Sequence, residues 1–196
     1  MYIIKTGDGN TLHNPLIKAS GKIVDEPQIE EEINTIGSLT FTMLPNHPHY
    51  ENVKKLSTLI FVYDDDGEIF RGRVYNTTGN FNKQKKVVCQ SEMGFFGDSI
   101  VRPFGYSGTV RDFIQKLIDN HNAQVDEYKQ FALGNVTVTD SNDYITRSNT
   151  SAQTTWATMK DRCIDMLGGY FQIRHEGGIR YLDYLADYSV KNSQTI

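Results

Sequence analysis

Apolar residues along this chain recur at two different periods, and the change between them falls near residue 100. In the first half Leu39, Phe41 and Met43 alternate with Thr40 and Thr42. A period of two places those three apolar side chains on one face of a strand. Pro45 and Pro48 end the run, because proline has no N–H to give to a ladder. Leu59 to Tyr63 and Ile69 to Tyr75 are further apolar runs, and the Asp64-Asp65-Asp66-Gly67 step between them suits a tight hairpin turn. Val87-Val88-Cys89 is another short β run, after a loop expected around Thr78-Gly79-Asn80. Short strands at this spacing predict an all-β segment to about Asp98, built as a small β-barrel or sandwich.

Beyond that point the period becomes helical. Val110, Phe113, Ile114, Leu117 and Ile118 form one apolar stripe, with Thr109 as N-cap and Asp112 placed favourably near the positive helix end. Asn120-His121-Asn122 reads as the stop. A second helix is expected over roughly Thr154 to Leu167, with Trp156, Met159, Cys163, Met166 and Leu167 inward and Gly168 as a left-handed cap. Val136 and Val138 suggest a strand. Tyr170 to Arg174 and Ile179 to Tyr184 read as a hairpin turning through Glu176-Gly177-Gly178. The fold class is therefore α+β, mainly β. Its domains are 1–98, β-barrel-like, and 99–196, α+β with two helices, a strand and a hairpin, the two halves being free to share a core.

Composition narrows the function. Hydrophobic residues are 38% and charged residues 22% of 196, ordinary globular usage. No run approaches the apolar length of a membrane span, and Met1 to Lys5 lacks the basic region and apolar core of a secretory signal. Two cysteines cannot make a disulfide framework. A net charge of −4 argues against nucleic-acid or anionic-membrane binding as the main task. The chain ends at Asn192-Ser193-Gln194-Thr195-Ile196 without a terminating signal, so a longer parent protein is expected.

Each candidate for chemistry has a plainer reading beside it. Gly105-Tyr106-Ser107-Gly108 before a helix is reminiscent of a nucleophile elbow, but Thr109 stands where the elbow needs glycine, and a loop feeding the N-cap is the better reading. Asp161 and Asp165 share a helix face, as paired acid and base carboxylates could, yet Lys160 and Arg162 beside them mark a solvated face. Glu30-Glu31-Glu32 reads as surface strand or turn. His47 and His49 flank Pro48 without further metal-ligand spacing, and Asp64 to Gly67 lacks the distal ligands of a calcium loop. His175-Glu176 precedes two glycines and is a turn. Cys89 and Cys163 read as buried thiols. Lys83, Lys85 and Lys86 form the basic cluster, read as guarding a strand edge, and Phe81 beside them is too little for a nucleic-acid platform. No catalytic residue, metal ligand or cofactor site is assigned, and enzymatic activity is not expected.

Several stretches look familiar. Ser38-Leu39-Thr40-Phe41-Thr42-Met43-Leu44-Pro45 with His49-Tyr50-Glu51-Asn52-Val53 resembles an early strand and loop of siphophage tail-tip proteins, and Phe70-Arg71-Gly72-Arg73-Val74 the strand they place after a hairpin. Gly108 to Ile114 through His121-Asn122, Phe131 to Val138, Leu167-Gly168-Gly169-Tyr170-Phe171 and Arg180 to Tyr184 continue the pattern. Together they resemble the prophage tail protein family, also labelled minor structural protein or tail endopeptidase, over nearly the whole chain. The resemblance implies a fold like the hub of contractile baseplates and type VI secretion spikes. It also implies a homotrimeric ring of small β-barrels, with the distal tail protein and other tail-tip or tape-measure proteins as partners. Its wall-degrading or receptor-binding parts belong to carboxy-terminal extensions, so "endopeptidase" is not carried over.

The expectation is thus a structural hub of the tail tip. It would be made in the bacterial host cytoplasm and carried in the virion, with no membrane and no sequence-specific nucleic acid as partner. Two alternatives stand: a receptor- or saccharide-binding tail module, suggested by 11 Tyr and 10 Phe, and a tail-associated peptidoglycan hydrolase.

Overall fold

In the computed structural model, which describes residues 1–187, the alternating run Ser38–Met43 is a strand with Leu39, Phe41 and Met43 buried. The chain divides into two compact units, Met1–Gly94 and a second from Phe95 onward. Asn192 to Ile196, read above as lacking a terminating signal, lies outside the described residues.

The first unit contains β1 (Ile3–Thr6), β2 (Thr11–His13), β3 (Asp25–Glu30), β4 (Ser38–Met43), β5 (Leu59–Tyr63), β6 (Glu68–Gly79) and β7 (Lys85–Ser91). They form one seven-stranded sheet in the order β2-β1-β5-β6-β7-β4-β3, antiparallel at every ladder. The sheet curls as a half-barrel around Ile4, Leu39, Phe41, Met43, Ile60 and Val74, none more than 2% exposed. Each such side chain contributes about 1.5–3 kcal/mol on burial. The outer strands discourage further pairing. β2 has three residues. In β3, Pro27 lacks an N–H, Glu26 holds a φ of 49°, and the register shifts between Asp25 and Gln28.

The β5–β6 turn forms where Asp64-Gly67 predicts it. The Asp64 side chain accepts from the N–H groups of Asp66 and Gly67 at 2.9 and 3.1 Å. β6 runs further than the sequence suggests: Thr78 and Gly79 belong to the strand, not to a loop, and pair with Lys86 and Lys85. The turn is Asn80 to Gln84 instead.

The second unit holds β8 (Ile100–Val101), β9 (Phe104–Gly108), α1 (Val110–Asn122), β10 (Ala132–Val136), β11 (Ile145–Asn149), β12 (Gln153–Thr154), α2 (Thr155–Met159), β13 (Tyr170–Glu176) and β14 (Ile179–Leu185). β10 pairs in parallel with β14, which pairs with β13. Two further antiparallel ladders, β9 with β11 and β8 with β12, have no counterpart in the periodicity. Gly105 to Gly108 is therefore strand rather than loop. Its alternate residues are tied by β11, which tertiary pairing supplies and local sequence does not.

α1 starts as its residues require. The Thr109 side chain accepts from the Asp112 N–H at 3.1 Å, a cap worth about 0.5–2 kcal/mol. The apolar stripe is buried throughout, and the helix ends at Asn122, where the Asn120-His121-Asn122 run predicts its stop. α2 continues through a π-helical turn, Lys160–Ile164, into a last turn, Asp165–Leu167. That extra residue shifts the helix phase. Met159 and Cys163 stay buried, but Met166 is 53% exposed and Trp156 and Leu167 are half-buried, which corrects the inward face drawn from a regular 3.6 period. Gly168 follows with φ +73°, and Gly177-Gly178 close the hairpin at φ +59° and +80°, values suited to glycine. Among the described residues no helix is long and apolar enough to cross a membrane.

Candidate functional site

The curl of the first unit leaves a recess of about 370 Å³ where β1, β5 and β6 come opposite β3 and β4. Tyr2, Ile4, Pro27, Leu39, Val62 and Ile69 are among its lining residues, and Glu31 is its charged member. The Glu31 side chain reaches solvent at the rim, yet desolvation by its surroundings lifts its carboxyl above the ordinary value. Register puts the recess at the strand ends that also carry Glu30 and the Asp64-Gly67 turn, since Glu30 pairs with Ser38 and Tyr63 with Glu68.

The β6–β7 turn lies at the opposite end, where Gly79 and Met43 both pair with Lys85. It is braced rather than loose. Asn80 accepts from the Gln84 N–H at 3.0 Å and donates to the Gln84 side chain at 2.7 Å, and the Tyr50 hydroxyl donates to the Lys83 carbonyl at 2.7 Å. Lys85 donates to the Tyr50 carbonyl and sits 4.0 Å from the Tyr50 ring centre, and desolvation lowers its ammonium below the ordinary value. At the tip Phe81 is fully exposed. Because β7 lies between β6 and β4, the lysines there do not guard a sheet edge: that reading is corrected by the strand order.

Other sequence candidates are scattered. Ser107 is exposed on β9, with its hydroxyl 3.2 Å from that of Thr146. Asp161 accepts from Gln153 at 3.3 Å, and Asp165 is exposed on the far side of the π turn. His47 is buried and neutral: Nε2 donates to the Leu12 carbonyl at 2.8 Å and Nδ1 accepts from the His49 N–H at 3.1 Å, while desolvation lowers its pKa. Both nitrogens are thus committed to the loop. Cys89 and Cys163 are fully buried, which pushes both thiols up, Cys163 to about 12. His175 and Glu176 are the last residues of β13, paired with Arg180 and Ile179, so they are strand and not turn, and Gly177-Gly178 alone makes the reversal. Among the described residues no three His, Cys, Asp or Glu side chains gather as a metal site.

One polar cluster was not anticipated. The Ser99 hydroxyl lies 2.7 Å from His121 Nδ1 and 2.7 Å from the Thr155 hydroxyl, and His121 Nε2 lies 3.1 Å from the Lys129 carbonyl. With Nε2 donating to that carbonyl, Nδ1 accepts from Ser99. The spacing is that of a serine beside its base. All three side chains, however, have no solvent exposure, and Phe96 and Phe131 pack on the imidazole at 4.6 and 5.6 Å. The arrangement pins β8, α1 and α2 together. Its one sequence signal is a histidine at the helical spacing of the apolar stripe, in the last turn of α1.

Strand order, half-barrel and the α+β second unit together give a fold similar to that of phage tail proteins and of a type VI secretion system component. The tail protein from Neisseria meningitidis MC58 superposes with a TM-score of 0.56 at 13% identity, over 92% of this chain and 50% of that one. Prophage tail protein gp18 from Listeria monocytogenes EGD-e gives 0.56 at 12% identity, over 93% and 49%. A type VI secretion component of Escherichia coli, itself described as similar to the T4 tail proteins gp27 and gp5, gives 0.51 at 12% identity, over 83% and 47%. The chain thus spans about half the length of these proteins. No protein-family model matches it, and no curated protein matches it in sequence.

Proposed function

We propose that this chain is a structural component of a phage or prophage tail, acting at the tail tip. There it forms a hub ring of three copies that joins the tail tube or distal tail protein to further tip domains. The observation that carries this reading is the fold likeness to tail proteins from two bacterial species over more than nine-tenths of the chain. Function in such a module resides in extended contact surfaces and not in a reaction centre. The candidate nucleophiles support this: Ser99, Cys89 and Cys163 are sealed in the interior, and Ser107 faces a threonine hydroxyl. A closed three-chain ring uses a heterologous interface whose rotation returns on itself.

The test is the mass of the purified chain by light scattering over a concentration series, followed by binding to the distal tail protein of the same phage. A mass three times the monomer, or a stable complex with that protein, supports the hub. A monomer that also fails to bind would favour the receptor-binding alternative. Clearing of host cell walls by the pure chain would overturn the non-enzymatic reading.

A further inference from the structure

The two ends of the first unit carry opposite charge, and each has an apolar centre. One end presents the apolar recess with Glu30, Glu31 and Glu32 beside it and, at the same strand ends, the Asp64-Asp65-Asp66 turn, of which Asp65 is paired with the Met1 ammonium at 2.8 Å. The other presents Phe81, which is fully exposed on a tip stiffened by Asn80, Gln84 and Tyr50, with Lys83 and Lys86 also exposed. A rigid, wholly solvated phenyl ring adds nothing to folding and exposes apolar area that association would remove from water. Strand addition is an unsuitable route for this sheet, since Pro27, the Glu26 backbone and the short β2 blunt its edges.

We infer that the first unit docks head to tail on a second copy of itself, Phe81 of one copy entering the recess beside Glu31 of the next. Lys83 and Lys86 then face the glutamates at the rim. The occupant is argued from charge: a basic-flanked aromatic tip matches an acid-rimmed apolar mouth, and this chain carries both. Because tip and mouth lie at opposite strand ends, a copy that inserts its tip keeps its own mouth open. The contact is therefore heterologous and propagates from copy to copy until it closes. This inference deepens the ring reading and rests on it for closure at three copies, while the contact itself stands on the two surfaces.

The experiment uses the whole chain in sedimentation equilibrium, with Phe81→Ser as the tip variant and Glu31→Lys as the mouth variant. Phe81 is solvated on all sides, so its loss leaves circular dichroism and melting unchanged. Wild-type chain associates. Phe81→Ser weakens association at least tenfold, and Glu31→Lys weakens it in the same direction. An equimolar mixture of the two variants restores one good interface per pair and stops at dimers, because no third contact is available. Oligomers of Phe81→Ser as tight as wild type overturn the inference while leaving the ring reading intact. A wild-type chain that stays monomeric overturns it as well. If Phe81→Ser then still blocks tail assembly, the tip docks on a different tail protein and not on a second copy. Should the chain associate through the tip yet be absent from tails, the ring reading fails and the contact stands.

Discussion

Replacing Ser99 by alanine removes one oxygen atom from the interior of the second unit, and the geometry sets the cost. That oxygen is 2.7 Å from both His121 Nδ1 and the Thr155 hydroxyl, and all three residues are completely buried. Without it, His121 Nδ1 becomes a buried acceptor with no donor, and Thr155 loses a hydroxyl partner. A buried polar group stripped of its partner costs about 1–3 kcal/mol, so the pair costs about 2–4 kcal/mol if Thr155 rotates to recover part of its loss. For a unit of this size each kcal/mol moves the midpoint about 4–8 °C, giving a fall of roughly 8–32 °C. Ser107→Ala is the matched control, because its hydroxyl contact is 3.2 Å long and exposed. A surface change of that kind stays within about 0.5 kcal/mol. Differential scanning calorimetry of both variants reads the difference directly. If Ser99→Ala melts within about 2 °C of Ser107→Ala, on the same scale of degrees per kcal/mol, the buried relay is not holding the unit together.

Burial lowers the pKa of His121, aided by Lys129 and Arg180 and opposed by the Lys129 carbonyl and Asp98; His47 shifts the same way, also through desolvation first. The folded state therefore disfavours the imidazolium, so stability is full above the ordinary histidine value of 6.5 and is lost as pH falls below it. Melting points should decline between pH 7 and pH 5, and a flat profile across that range would contradict the assignment. Neither Cys89 nor Cys163 should react with a thiol reagent in the native protein at pH 8, and both should react after unfolding; rapid native labelling would refute their burial. Gly134→Ala would drive a β-carbon into the carboxylate of Asp183, which is 3% exposed and accepts from the Asn135 N–H at 2.6 Å. Overpacking together with a lost charge-assisted hydrogen bond predicts a loss of about 2–4 kcal/mol in a denaturant melt, and an unchanged midpoint would count against it.

Much of the fold was legible because its elements bury one face at a clean period. Leu39, Phe41 and Met43 alternate, the α1 stripe recurs at helical spacing, and Gly177-Gly178 has the turn chemistry a hairpin needs. What was missed depends on partners distant in sequence. β9 exists because Ile145 to Asn149 lies beside it, and nothing between Phe104 and Gly108 announces that ladder. The π turn at Lys160 rotates Met166 outward, a local change of pitch invisible to any fixed period. His121 illustrates the same limit: its place in the last helical turn is legible, but not that Ser99 and the Lys129 carbonyl make it a satisfied core residue. The surfaces argued to carry function were only half visible. The glutamate run, the lysine cluster and Phe81 stand out along the chain, but strand register is what sets them at opposite ends of one unit.

The central claim is that this chain is part of a phage tail tip. Its most direct test is electron microscopy of particles released by a lysogen that encodes the chain, labelled with a gold-conjugated antibody raised against the purified protein. The account predicts label at the distal end of the tail, on one site per particle. Label confined to the capsid, or tails that carry none, would contradict it.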